Sequence, residues 1–308
     1  MIEKPTAMLQ TNLLLLLVAM IWGFGFVAQR LGMDHLGPFM FNGIRFILGG
    51  LCLLPLAMRG KRTRILPGHR VMSPVVAGIF AGILLFIAAA LQQVGLVYTT
   101  AGKAGFITGI YVVFVPLIGL FLGNRASLGT WIGVVLAVVG LYLLSVEGSF
   151  QLNIGDVLEL VGALFWALHV IALAYLSPRT SPVRLAMVQF YVCGLGSLVV
   201  AAFFEPASLE NIYAAYQALI YGGVISVGAG YTLQVLLLQR ANPTHASILL
   251  STEAPFAALG GWLFLQETLS LRALSGCGLM LAAILITQLC PEKERSGAKS
   301  SGGIHSRP

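Results

Sequence analysis

The sequence predicts an all-α integral membrane protein, with ten transmembrane helices built as two inverted five-helix repeats. Three observations predict it. The composition is 58% hydrophobic and only 9% charged, ten apolar stretches reach spanning length, and the second five stretches repeat the first five. A mean hydropathy of +0.91 over 308 residues lies far outside the range of soluble globular chains. The solvent is therefore a bilayer, where a continuous helix satisfies its own backbone polar groups without water.

The first five stretches fall at 12–29, 38–58, 73–97, 101–122 and 128–146, and the second five at 157–176, 182–204, 213–239, 246–265 and 271–289. Each suits the ~17 to 25 residues that cross ~30 Å of hydrocarbon. Trp22 recurs as Trp166, Pro38 as Pro182, Arg45-Phe46 as Gln189-Phe190 and Gly50 as Gly194, all 144 residues on. The offset drifts to 142 for Leu91-Gln92 against Leu233-Gln234 and to 143 for Ser127-Leu128 against Ser270-Leu271. A duplicated unit explains this ordered set; chance apolar similarity does not. Five is odd, so the second unit enters the membrane from the other side, and 12–146 and 157–289 are expected to be inverted copies. Secondary transporters commonly have this construction, with the ligand near the midplane where the halves meet. The polar tail 291–308, rich in Ser, Gly and Lys, is expected to be disordered and cytoplasmic.

The net charge of +7 could suggest nucleic acid, but its distribution argues for orientation instead and against a nucleic-acid partner. With the N-terminus inside, cytoplasmic segments hold 14 of the 18 basic residues: Lys4, Arg59, Lys61, Arg62, Arg64, Arg70, Arg125, Arg179, Arg184, Arg240, Lys293, Arg295, Lys299 and Arg307. The outer side holds Arg30, Lys103 and Arg272, while Arg45 lies within a span. This asymmetry places both termini in the cytoplasm of a multi-pass cell-membrane protein, expected in a bacterial inner membrane. The first span lacks a small-x-small cleavage site and is read as retained, not as a signal peptide. Cys52, Cys193, Cys277 and Cys290 show no paired spacing, so neither metal nor disulfide is expected.

Glycines four apart, at Gly78/Gly82, Gly105/Gly109, Gly119/Gly123 and Gly129/Gly133, clear helix faces for close packing. Pro116 and Pro255 lie inside spans four and nine and deprive the carbonyls of Val112 and Ser251 of their usual donors. Such carbonyls must face protein or a water-filled cavity.

The order of motifs resembles the EamA-type branch of the drug/metabolite transporter superfamily. The resemblance is carried by Ala19 to Phe26, Pro38 with Ile44-Arg45-Phe46, Tyr98 to Gly109 followed by Tyr111 to Pro116, and Ala246 to Pro255 leading into Leu263 to Ser270. It covers the chain from Asn12 to Leu289 and implies a ten-helix carrier of small metabolites, commonly an exporter. One departure is Asn124, where such proteins frequently repeat the Glu found at Glu267.

Depth along a helix, at ~1.5 Å per residue, selects the candidate site residues. Arg45 lies roughly 10 Å inside span two, where a charge needs a cavity or a partner. It either attracts a ligand carboxylate or is held by carbonyls and Asn42. Gln189 is its neutral repeat mate. Lys103 and Glu159 start spans four and six, where they either snorkel to the interface or form a vestibule with Arg45. Glu253 and His169 fall at similar depth and are the proton-coupling candidates, since a carboxylic acid and an imidazole can exchange protons near neutral pH. Trp22, Tyr111 and Trp166 fall near the midplane, where rings either stack on a ligand or pack helices. Gln92 and Gln234, repeat mates in spans three and eight, would offer neutral donors and acceptors to a ligand.

The function expected is secondary transport of a small metabolite, an amino acid or relative, by alternating access and in the export direction. No Walker-type phosphate loop supports ATP drive, and no cofactor is implied. A broad drug efflux carrier is the alternative, favoured by a mostly aromatic cavity with Arg45 turned away. An intramembrane enzyme would need a nucleophile-base set, paired His or an Asp-rich motif, none of which is present, so no catalytic residue is assigned. The partners expected are the metabolite and the bilayer, with protons and a second copy of the chain as candidates.

Overall fold

The computed structural model describes residues 5–59, 70–123, 126–145, 153–206, 208–266, 268 and 270–289. Span one is Pro5–Gly32, two Pro38–Met58, three Pro74–Tyr98, five Leu128–Ser145, six Ile154–Leu176, seven Pro182–Phe204 and ten Leu271–Leu289. Span four is two helices, Ala101–Gly109 and Tyr111–Phe121, and span nine likewise, Pro243–Leu250 and Glu253–Phe264. Span eight joins Tyr216–Ile220, a wider π-wound stretch Tyr221–Tyr231, and Thr232–Leu237. Among the described residues eight spans are long and apolar enough to cross a membrane, and spans five and ten are shorter apolar helices. The 291–308 tail, Asn124, Glu267, Cys290 and half of the basic residues that set the expected orientation lie outside the described residues.

Local signals start the helices. Pro38, Pro74, Pro182 and Pro243 open spans two, three, seven and nine, where proline costs nothing because the first N–H groups have no helical partner. Asn153 and Asp156 cap span six reciprocally. Span eight begins at Tyr216, not Tyr213, because Ala215 leaves the helical path and Tyr213 belongs to a short helix capped by Ser208.

Spans four and nine are interrupted where the sequence suggested only kinks. Helix is lost at Ile110 and again at Ser251-Thr252, positions equivalent in the repeat. The second break puts Pro255 in the first turn of a new helix, where its missing N–H is harmless. The hydroxyls of Ser251 and Thr252 donate back to the carbonyls of Ile248 and Leu249 at 2.8 and 2.6 Å. The repeat extends to backbone strain as well. Among the described residues the two with positive φ are Gly123 (83°) and Gln266 (58°), 143 apart, each ending its half's broken span.

Packing obeys the same duplication. Span two packs on its mate seven, and five on its mate ten. Span three packs on six and seven as eight packs on one and two, and four packs on six as nine packs on one. Every large contact thus has a counterpart under exchange of the halves, as an inverted pair of five-helix repeats requires. Gly78 and Gly82 seat against Val188 and Val192 of span seven, so that glycine pair does serve close packing. Large apolar side chains such as Leu51, Phe80, Val135, Leu195 and Leu281 stay exposed on the outside, which is the face lipid covers.

Candidate functional site

Spans one, two, three, four, six, eight and nine together line a small, partly open cavity. Its lining is Trp22, Phe26, Gln29, Arg45, Gln92, Thr108, Tyr111, Trp166, Val170, Ser226, Tyr231, Gln234 and Glu253.

Aromatic rings form one wall around Tyr231. Trp22 meets it at 4.5 Å between centroids, Trp166 stacks on it at 5.9 Å, and Phe46 and Phe190 follow at 5.9 and 6.2 Å. Polar groups form the rest. Trp166 donates its indole N–H to Gln92 Oε1 at 2.8 Å, and Gln92 in turn donates to Gln29 Oε1 at 3.3 Å. Trp22 Nε1, Tyr111 Oη and Gln234 Oε1 are buried without a hydrogen-bond partner among the described residues.

Two charges face this cavity from opposite halves. Arg45 is 2% exposed; its Nε donates to Asn42 Oδ1 at 2.8 Å, and Asn42 is itself fixed by donating to the Ala89 carbonyl at 3.0 Å. The guanidinium rests over the Phe46 ring at 4.9 Å. No carboxylate among the described residues pairs with it, and its remaining donors make no protein hydrogen bond. Glu253, 5% exposed, opens the second helix of span nine and has neither an ion-pair nor a hydrogen-bond partner among the described residues. Gly23 brings span one so close that a side chain there would overlap Phe256 and the Glu253 carbonyl. A residue without Cβ is what lets span one pack directly on the start of the second helix of span nine.

Six of the nine residues expected to bind substrate line the cavity: Trp22, Arg45, Gln92, Tyr111, Trp166 and Gln234. Glu253, a proton-coupling candidate, joins them. Three do not line it. Asn42 positions Arg45 from behind. His169 Nε2–H donates to Gln189 Oε1 at 3.0 Å, so both of those residues are turned to each other between spans six and seven. Lys103 donates to Asp156 Oδ2 at 2.6 Å, an ion pair that ties the start of span four to the start of span six. The vestibule of Arg45 and Lys103 countered by Glu159 is therefore not assembled, since Glu159 accepts from Thr108 Oγ1 at 2.9 Å instead.

Sequence reasoning passed over Phe26, Gln29, Thr108, Val170, Ser226 and Tyr231. Helical spacing carried a signal for most of them. Gln29 is seven residues from Trp22, Thr108 three before Tyr111, and Tyr231 three before Gln234, each on the same helix face as a residue already chosen. Phe26 and Val170 are repeat mates 144 apart.

Comparison with known proteins decides the family. The model of the EamA-like transporter family matches residues 9–146 and again 153–289. The chain belongs to this family. An uncharacterized transporter of Archaeoglobus fulgidus is 33% identical over 91% of this chain and 86% of its own length. The uncharacterized transporter YoaV of Bacillus subtilis is 25% identical over 91% of this chain and 97% of its own. The uncharacterized inner membrane transporter YedA of Escherichia coli is 25% identical over 87% of each chain. A solved crystal structure superposes with a TM-score of 0.74 at 15% identity, covering 93% of this chain and 98% of that one, which shows the fold alone. This EamA-like chain is a multi-pass membrane transporter, and small molecules are the class of cargo its family implies.

Proposed function

We propose that this transporter exports small zwitterionic metabolites, amino acids or close relatives, by alternating access of the cavity between its repeats. One observation carries the reading. Arg45 from the first half and Glu253 from the second are buried charges of opposite sign without a counter-ion among the described residues, and both line the same cavity. A buried charge is costly unless a partner compensates it, so the natural occupant brings a carboxylate for Arg45 and an ammonium for Glu253. The Trp22, Tyr231 and Trp166 rings then offer a flat apolar surface for the side chain.

Coupling follows from the same carboxylate. Glu253 can hold a proton or a ligand ammonium, not both, so a proton entering from one side displaces cargo released to the other. The excess of basic residues on one side supports cytoplasmic termini, with span one running outward. A drug efflux carrier is the second reading, and the lining speaks against it. Arg45 faces the cavity, and Gln29, Gln92, Thr108, Ser226 and Gln234 give it a polar floor.

The test is counterflow in proteoliposomes with amino acids, their des-amino acids, their decarboxylated amines, and lipophilic cationic drugs. Zwitterions exchange and compete with one another, while molecules lacking either charge bind at least ~30-fold more weakly, the lower end of what unpairing a buried charge costs. Exchange of cationic drugs alone would establish the efflux reading instead.

A further inference from the structure

The two halves of the cavity carry the same four side chains in two different states. Trp166 and Gln92 are repeat mates of Trp22 and Gln234, at offsets of 144 and 142. In the first pair the indole N–H donates to the amide oxygen at 2.8 Å. In the second pair the matching atoms, Trp22 Nε1 and Gln234 Oε1, are both buried and both without a partner among the described residues. Because the repeats are inverted, the two pairs lie toward opposite faces of the membrane. Gln92 is six residues from the end of span three, and Gln234 three from the end of span eight.

The open pair is also poised to close. Trp22 Nε1 lies against Gly230, where a Cβ would stand 2.8 Å from it. Gly230, near the end of the π-wound stretch, is four residues before Gln234, hence about one turn before it along span eight. A shift of about one turn, ~5.4 Å, between spans one and eight carries the indole from Gly230 to the amide.

We propose that Trp166-Gln92 and Trp22-Gln234 are alternating latches: each closes its own end of the cavity, and each can be made only when the other is broken. The structure holds the first latch made and the second open. Exchange of the two halves' conformations, the motion an inverted repeat allows, makes the second and breaks the first. This rests on the alternating-access reading but not on the identity of the cargo. The four side chains are positioning residues, which act by setting which end of the cavity is open.

Phe26 and Val170 supply the reporters, since they line the cavity, are repeat mates, and lie toward opposite faces. In a chain with its four native cysteines replaced by alanine, Phe26→Cys or Val170→Cys is labelled with a membrane-impermeant maleimide in purified protein without any cargo. Trp166→Phe and Gln92→Leu should raise labelling at position 26 and lower it at 170, and Trp22→Phe and Gln234→Leu should do the reverse. Loss of one neutral hydrogen bond should change each ratio about fivefold. The Trp→Phe variants keep a ring in place, so they report even if an amide variant fails to fold. Shifts of the same sign from both pairs, or no shift from either, would overturn the latches. So would weakened amino-acid binding by all four variants at unchanged labelling, which would make these atoms cargo contacts. Labelling ratios that move as stated while no zwitterion exchanges would leave the latches standing and dismiss the proposed cargo.

Discussion

The first and second halves of the cavity share a plan and differ in charge. Trp22 and Trp166, Phe26 and Val170, and Gln92 and Gln234 all line it, each pair drawn from equivalent places in the repeat. Two equivalences break the symmetry. Arg45 lines the cavity while its mate Gln189 turns to His169, and Glu253 lines it where the first half, 142 residues earlier, has Tyr111. On the proposed reading, symmetric groups would serve the motion common to both halves, whereas the unmatched charges would give the cargo a direction, with one end toward span two and the other toward span nine. A duplicated scaffold thus acquires polarity by changing one residue in each copy.

The largest effect is expected at Arg45. Arg45→Gln gives the first half the residue of the second and leaves the carboxylate end of a zwitterion unpaired. Binding should fall ~30-fold or more, in line with ~2–5 kcal/mol for truncating one member of a buried charge pair. Arg45→Ala should impair transport more than Arg45→Lys, with membrane insertion intact in both. Equal transport by wild type and all these variants would remove Arg45 from the site and, with it, the asymmetry of the halves.

Glu253→Gln comes next. It mimics the protonated acid permanently, so uptake into vesicles should lose its dependence on pH, while cargo that retains its carboxylate still binds through Arg45. For wild type the sign is fixed: as pH falls, protonated Glu253 gives up the ligand ammonium, and zwitterion affinity drops. An unchanged pH profile in the variant would end coupling through this residue and favour a uniporter. His169→Asn should leave that profile in place, because His169 is bonded to Gln189 and does not line the cavity. Sequence depth alone grouped it with Glu253.

That last case marks what the sequence could and could not show. Ten spans and their duplication are one-dimensional properties: apolar length, and matches such as Trp22/Trp166 at a constant offset, survive without coordinates. Depth is one-dimensional too, which is why Arg45 and Glu253 were found. The azimuth of a residue around its helix depends on what packs there, which is why sequence could not show that His169, Gln189 and Lys103 point away from the cavity. Lys103 met Asp156, an acid on another span that no local pattern links to it. The breaks at Ile110 and Ser251-Thr252 escaped because a proline announces lost hydrogen bonds without saying where the helix yields.

Gly230→Ala tests the two latches at smaller scale. The added Cβ falls 2.8 Å from Trp22 Nε1, so the indole must leave its present seat. Overpacking of this kind costs ~1–3 kcal/mol, to be read as a lower Tm, and the tryptophan fluorescence should change with it. Ala88, the equivalent residue 142 earlier, already carries a Cβ. A variant with unaltered Tm and fluorescence would mean that Trp22 is free to sit elsewhere, and the closeness of spans one and eight would carry no information about the open latch.

The smallest effects are expected at the ends of the spans, where the halves can again be compared. Lys103 binds Asp156 at 2.6 Å, joining spans four and six; His245 Nε2 lies 3.1 Å from Asn12 Oδ1, joining spans nine and one. Lys103 is 142 before His245, and Asn12 is 144 before Asp156, so the second tether is the neutral image of the first at the opposite membrane face. Asp156 also accepts from Thr99 Oγ1 at 3.1 Å and from the Asn153 backbone at 2.9 Å, so it closes a capping box as well as an ion pair. Asp156→Ala should therefore cost ~1–2 kcal/mol, the upper range for a lost helix cap. Asn12→Ala, which removes one neutral hydrogen bond, should cost about 1 kcal/mol or less. Lys103→Ala should resemble Asn12→Ala, because a partly exposed ion pair contributes ~0–1 kcal/mol and the cap survives its loss. Thermal unfolding of the three variants in one detergent orders them. If Lys103→Ala proves as costly as Asp156→Ala, the charge and not the cap holds span six, and the two tethers differ in kind instead of in strength.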